Sequence, residues 1–327
     1  MQVSLADILD AQNRIAGRVI ETPMMRDGVL EERLGEPVYL KLEHRQTTGA
    51  FKLRGATNAV LSLLPEARAR GVVTASTGNH GRALAHAARA EGVRAVVCLS
   101  RLVPQNKVAA VRALGAEVRI VGQSQDEAMA EVARAVREEG LNEVPPFDDA
   151  CVIAGQGTLG LEILKQVPDA ATLLVPLSGG GLAAGVALAA KALRPAVRVI
   201  GLSMTRGAAM AASLAAGRPV EVEELPTLAD SLGGGIGLEN RFTYRMCRDL
   251  LDDVVVLSEA EIAAGIRHSH AVTGDAIEGA AAVGVAALLA GKVSAQGPVV
   301  AVLSGCNIDP ILHAQVLAGD LPPEVLA

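Results

Sequence analysis

Three short stretches of this 327-residue sequence carry side chains suited to chemistry, and each follows an apolar run. Ser76-Thr77-Gly78-Asn79-His80-Gly81 sets hydroxyl, amide and imidazole groups between glycines after Val72–Ala75, and a helical pattern from Arg82 to Ala90 follows. Small polar groups beside the free N–H groups of a helix start suit a carboxylate; an N-cap in a tight turn is the structural alternative. Leu177-Ser178-Gly179-Gly180-Gly181-Leu182 follows Thr172–Pro176 and opens the helical pattern Ala183–Leu193. Glycines let backbone N–H groups approach an anion closely, which suits a phosphate; close packing of helix on strand would use the same residues. Gly179, Gly181 and Ala184 also fit G-x-G-x-x-A, but the next apolar run, Val197–Leu202, ends in Ser203-Met204-Thr205 with no acid for a ribose hydroxyl. Arg206 keeps an NADP-dependent oxidoreductase as a remote alternative. The third stretch is Ser304-Gly305-Cys306-Asn307, after Val299–Leu303, where the Ser304 hydroxyl could meet a heteroaromatic nitrogen.

Only six lysines occur, and Lys52 differs from the rest because Thr47-Thr48-Gly49-Ala50-Phe51-Lys52-Leu53-Arg54-Gly55-Ala56 surrounds it with small or apolar neighbours. An amine in a partly dry site loses its charge more easily and becomes a nucleophile toward a carbonyl. The sequence contains no nucleotide-triphosphate P-loop and no G-x-S-x-G elbow. His268 and His270 stand two apart in a helical segment, where side chains point away from each other, so no metal site is expected from them.

These stretches need strand ends and helix starts to hold them. The candidate strands are Val38–Leu42, Val72–Ala75, Ala95–Leu99, Glu117–Val121, Thr172–Pro176, Val197–Leu202, Val254–Leu257 and Val299–Leu303, alternating with helical segments. That order implies an α/β protein with open, mostly parallel sheets flanked by helices. Half of the residues are apolar but only 2% are aromatic, so the core is aliphatic. A net charge of −6, no basic run and few rings argue against a nucleic-acid partner. The uncharged stretch Ala170–Ala190 is broken by Pro176, Ser178 and three glycines, so no membrane span is expected. Four scattered cysteines and an N-terminus unlike a signal peptide place the chain in the cytoplasm. The polar segment Gly140–Ala150 is the candidate domain crossing.

Taken in order, Ala50-Phe51-Lys52-Leu53-Arg54-Gly55-Ala56, the S-x-G-N-H turn, the triglycine loop and Ser304-Gly305-Cys306-Asn307 resemble the serine/threonine dehydratase branch of fold-type II pyridoxal-phosphate enzymes. The resemblance spans nearly the whole chain and includes Pro146-Phe147-Asp148-Asp149, Ala154-Gly155-Gln156-Gly157-Thr158 and Leu228-Ala229-Asp230. It implies that pyridoxal 5′-phosphate is bound through Lys52, with Phe51 against the ring and Asn79 on the ring hydroxyl. Gly179, Gly180, Gly181 and Leu182 would hold the phosphate and Ser304 would face the ring nitrogen. Ser76, Thr77, Asn79 and His80 would cradle the substrate carboxylate. The fold implied has a large domain, 1–68 with 149–327, and a small mobile domain, 69–148. The activity implied is loss of water from a β-hydroxy amino acid (serine, threonine, 3-hydroxyaspartate or a hydroxyectoine-derived compound), giving a 2-oxo acid and ammonia.

Where relatives capable of racemisation place a serine, Thr77 adds a methyl group, which leaves racemase or β-replacement activity as the alternative within the family. Metal-dependent relatives place an acid where Ser203 stands, so no divalent-metal site is expected there. No appended regulatory domain is expected after Ala327, and the resemblance implies a homodimer. Asp230-Ser231-Leu232-Gly233-Gly234-Gly235-Ile236-Gly237 and Ser203-Met204-Thr205-Arg206-Gly207 are similar to the hydroxyectoine-utilisation dehydratase subgroup.

Overall fold

The computed structural model describes residues 3–76, 78–103 and 105–326. Every apolar run singled out above becomes a strand to within two residues, and two short strands join them. The strands are β1 (Met24–Arg26), β2 (Val38–Lys41), β3 (Val72–Ala75), β4 (Ala95–Leu99), β5 (Glu117–Ile120), β6 (Asn142–Glu143), β7 (Thr172–Pro176), β8 (Arg198–Met204), β9 (Asp253–Leu257) and β10 (Val299–Val302). They form a six-stranded sheet, ordered β1-β2-β10-β7-β8-β9, and a four-stranded sheet, ordered β5-β4-β3-β6. All neighbours run parallel except β1 and β2.

The strands read as unbroken apolar runs because helices cover both faces of the sheet. On β7, Leu173 and Val175 join one core while Leu174 joins the other; on β10, Val300 and Val302 divide from Val299 and Ala301 in the same way. One face carries the helices Ala150–Gln166 and Gly181–Leu193, and the opposite face carries Glu259–Thr273 and Gly279–Leu289. Burying each such Leu or Val contributes about 1.5–3 kcal/mol.

Small residues set the helix spacing. A Cβ at Gly185 would stand 2.5 Å from the Ile153 carbonyl oxygen, and one at Gly155 would stand 2.7 Å from the Gly55 Cα. Helix Ala150–Gln166 therefore packs almost backbone to backbone against both Gly181–Leu193 and Lys52–Ser62. The latter helix also closes the core of the four-stranded sheet, since Leu53, Ala56 and Val60 cluster with Val72, Val97 and Leu99. Lys52 thus opens a helix packed against elements of both sheets.

The two unforeseen strands, of three and two residues, are too short to register as apolar runs. β6 is held by its pairing with β3 and by the Asn142 amide, which donates to the Ala67 and Gly71 carbonyls. β1 spans three residues and pairs antiparallel with β2. No helix among the described residues is long and apolar enough to cross a membrane.

Candidate active site

The chemistry-bearing stretches meet beyond the carboxyl ends of β3, β7 and β10, where ligands sit in open α/β sheets. Lys52 is the first residue of its helix, directly after the turn that follows β2. An antiparallel bridge between Ala50 and Gly305, with Phe51 N–H donating to the Ser304 carbonyl at 3.0 Å, fastens this turn to the one after β10. Lys52 and the Ser304 turn are therefore neighbours.

The Lys52 amine donates to the Pro146 carbonyl at 2.6 Å and lies 5.2 Å from the centre of the Phe51 ring. Burial pushes its pKa down to about 8, against the opposing influence of the Glu278 carboxylate. With that value about one-tenth of the amine is neutral at pH 7, far more than in an ordinary lysine, and the neutral form is the base and nucleophile.

The residue after Pro146 reaches the glycine loop. Phe147 lies against it: a Cβ at Gly179 would collide with the Phe147 ring, and one at Gly181 would stand 3.0 Å from the Phe147 backbone. Gly180 has φ +90°, a left-handed conformation that only glycine adopts freely, and a Cβ there would press on Met210, Cys247 and Thr243. Helix Gly181–Leu193 starts with no side-chain cap and no acid in its first turn, so its leading N–H groups are not capped from the protein. Such an apolar helix, opening on a glycine turn, has the donors and the partial positive charge that a phosphate needs. Cys247, whose thiol burial pushes up to about 12, packs behind the loop as an unreactive side chain.

Helix Asn79–Ala90 follows β3, and Gly78 at its N-cap offers no side-chain bond either. Asn79 donates to Glu278 Oε1 at 2.9 Å and accepts from the Asn307 amide at 2.5 Å. The Asn307 backbone N–H donates to Glu278 Oε2 at 2.9 Å. Gly305 permits this approach, because a Cβ there would stand 2.6 Å from the Glu278 carboxylate.

His80 is buried, with Nε2 at 2.8 Å from the Val144 carbonyl, and burial together with the nearby Lys52 charge holds its pKa down to about 3. The imidazole is neutral, and facing a carbonyl it must carry its proton on Nε2, which leaves Nδ1 as an acceptor. In this tautomer Nδ1 cannot donate to a carboxylate, so the donor His80 offers one is its backbone N–H at the helix start. Ser76 lies just before this helix, and Thr77 lies outside the described residues. Leu182, in the first turn of its helix, and Ser304, just after β10, are both buried.

Sequence reasoning assigned no role to several residues around the site. Asp148 accepts from the backbone N–H groups of Arg241, Phe242 and Thr243, thereby capping helix Thr243–Leu250 from a distant segment. Two residues after Lys52, Arg54 is fully buried and binds Glu43 through two bonds of 2.8 Å and Glu162 through bonds of 2.6 and 2.8 Å. Lys41, also fully buried, donates to Glu162 at 2.9 Å and to the Thr22 carbonyl at 2.7 Å. The available signal was a set of charged residues inside otherwise apolar runs, including Glu278 between Ile277 and Gly279. His268 and His270 diverge, to Asp27 and to the Asp275 carbonyl with the His313 ring respectively.

Among known proteins, the pyridoxal-phosphate dependent enzyme family matches residues 15–305. A protein of Sinorhizobium fredii, named as a candidate threonine dehydratase, is 60% identical over 318 residues, covering 97% of this chain and 96% of its own. The L-threonine ammonia-lyase of Geobacter sulfurreducens is 44% identical, covering 92% of this chain and 75% of its own. The solved structure of maize serine racemase superposes with a TM-score of 0.91 at 34% identity, covering 98% of each chain. The chain belongs to the pyridoxal-phosphate-dependent enzymes of fold type II, in the serine/threonine dehydratase branch. It is a lyase whose cofactor is pyridoxal phosphate.

Proposed function

We propose that this enzyme removes water from a β-hydroxy amino acid, releasing a 2-oxo acid and ammonia, with Lys52 as the residue that carries the cofactor and moves the Cα proton. The observation that supports this most directly is the Pro146–Phe147 link: one residue touches the Lys52 amine and the next lies on the glycine loop, so amine and phosphate cradle face one space. When bound, pyridoxal phosphate supplies the carbonyl that condenses with the substrate amine and the conjugated ring that takes up the electron pair left at Cα.

The protein's own groups do the rest. The N–H groups of Gly179, Gly180, Gly181 and Leu182 hold the phosphate at the start of an uncapped helix. Phe51 packs beside the ring, and Asn79 offers an amide N–H to its hydroxyl. Ser304 presents a hydroxyl to the ring nitrogen; unlike a carboxylate, it does not enforce protonation there, which moderates the electron sink and favours prompt loss of a β-hydroxyl. Ser76, Thr77, Asn79 and His80 receive the substrate carboxylate, with the backbone N–H groups of Asn79 and His80 at the second uncapped helix start. Lys52, poised near pH 8, accepts the Cα proton.

In this reading residues 69–148, which carry β3 to β6, are the small domain that closes over substrate and excludes water. Residues 1–68 and 149–327 make the large domain. The reading also takes the enzyme as a cytoplasmic homodimer acting on a small molecule, with its four free cysteines kept reduced.

The test is a visible spectrum of the purified protein before and after borohydride, peptide mapping of the reduced adduct, then 2-oxo acid assays with serine, threonine, 3-hydroxyaspartate and hydroxyectoine-derived amino acids. An adduct on Lys52 with 2-oxo acid release supports the proposal. A colourless protein that cannot be reconstituted overturns it, and inversion of substrate without elimination replaces it with racemisation.

A further inference from the structure

The hydrogen bonds around Asn79 have a fixed direction. Arg82, on the same helix, donates Nη1 to Asn307 Oδ1 at 2.8 Å, and a guanidinium can only donate. That identifies the other end of the Asn307 amide as Nδ2, which spends both hydrogens, on the Thr48 carbonyl at 3.0 Å and on Asn79 Oδ1 at 2.5 Å. From the opposite side, Glu278 accepts from Asn79 Nδ2 at 2.9 Å while its second oxygen accepts from the Asn307 backbone. A guanidinium at one end and a carboxylate at the other thus assign the same orientation to both amides. Asn79 Oδ1 is occupied, and one Nδ2 hydrogen is left without a protein acceptor among the described residues.

The geometry points to Asn307 and Arg82 as positioning residues that hold Asn79 in the orientation of an obligate hydrogen-bond donor toward the cofactor's ring hydroxyl. This deepens the reading above and rests on it. A donor aimed at that oxygen favours its deprotonated form, whereas a flipped amide would present Oδ1 and favour the protonated form. The direction of one amide therefore sets the proton inventory of the ring. Asn79 and Arg82 ride on the helix after β3, while Asn307, Glu278 and Thr48 belong to the segments around the six-stranded sheet, so the orientation is set by bonds that join the two walls of the site.

The experiment compares absorption spectra of the holoenzyme without substrate, at one pH, for the parent, Asn307→Asp, Arg82→Met and Asn79→Ala. Protonated and deprotonated ring hydroxyls give separate short- and long-wavelength bands, so their ratio reads the proton directly. Aspartate at 307 still accepts from Arg82 but faces Asn79 Oδ1 and the Thr48 carbonyl with no N–H to give. The ratio of short- to long-wavelength band is expected to rise about two- to ten-fold, equivalent to one net hydrogen bond, and to approach that of Asn79→Ala. Arg82→Met should move it the same way by less, and it carries the test alone if Asn307→Asp does not fold. A parent-like ratio in the 307 or 82 variant, while Asn79→Ala shifts, overturns the positioning role and leaves the cofactor reading intact. An unshifted Asn79→Ala spectrum, or a borohydride adduct on a residue other than Lys52, overturns both.

Discussion

Replacing Arg54 by Met probes the buried charges on the helix that Lys52 opens. Arg54 and Glu43 are each fully buried, and the guanidinium makes bonds to Glu43, Glu162, Thr158 and the Ile20 carbonyl. Burial alone would raise the Glu43 carboxyl; the Arg54 charge and its hydrogen bonds override this and hold it below its ordinary value. Methionine fills similar space but leaves Glu43 with Thr22 and the more distant Lys41. Removing one partner of a buried ion pair costs about 3–5 kcal/mol, and with Lys41 remaining the expected loss is near the lower end, about 3 kcal/mol. That is a large share of the roughly 5–15 kcal/mol that holds a domain folded. The assay is urea unfolding of the apoprotein at several pH values, with Glu43→Gln and the double variant completing a cycle. Without its guanidinium Glu43 becomes a carboxyl with a raised folded-state pKa, whose stability contribution falls as pH rises above the unfolded value. The gap between Arg54→Met and parent should therefore be widest above neutrality and narrow toward about pH 5. The double variant should be more stable than Arg54→Met alone. A single variant within about 1 kcal/mol of the parent, or a gap independent of pH, would refute this account of the network.

Lys52 and the glycine loop give two further expectations. With the Lys52 amine at about 8, the rate at which apoprotein condenses with pyridoxal phosphate should rise through pH 8 and level off above it; a rise continuing toward pH 10 would return Lys52 to an ordinary lysine. By linkage, this lowered value makes the apoprotein gain stability from Lys52 as pH climbs from about 8 toward the unfolded-state value. Gly180→Ala forces a side chain into φ +90° and against Met210, Cys247 and Thr243, so it should cost about 1–3 kcal/mol and weaken cofactor retention on dialysis. Unchanged melting and retention would mean the loop has slack that its contacts deny.

The strands were legible because helices cover both sheet faces, which turns a strand such as Val299–Val302 into a continuous apolar run. Lys52 and the Ser178–Leu182 loop were legible because scarcity or glycine content set them apart locally. The pairings that give these groups their properties were not. Asp148 caps a helix 93 residues further along, measured to Arg241, and Asn79 meets Glu278 across 199. No periodicity connects such positions, and only the fold brings them together. β6 failed to register for a different reason: pairing with β3 and one asparagine amide supply what its own composition lacks. For His80, residue type does not show which ring nitrogen carries the proton; burial and the Val144 carbonyl decide that.

The segment Pro146 to Asp149 gives four successive residues four separate attachments: the lysine amine, the glycine loop, the start of helix Thr243–Leu250 and, through Asp149, the start of helix Ala150–Gln166. Its length is consequently as constrained as its composition. A single inserted or deleted residue would displace several attachments together, whereas Glu223–Glu224 is an exposed stretch outside helix and strand. Loop grafts intended to change what the enzyme accepts should therefore preserve the spacing from Pro146 to Asp149 and place length variation elsewhere.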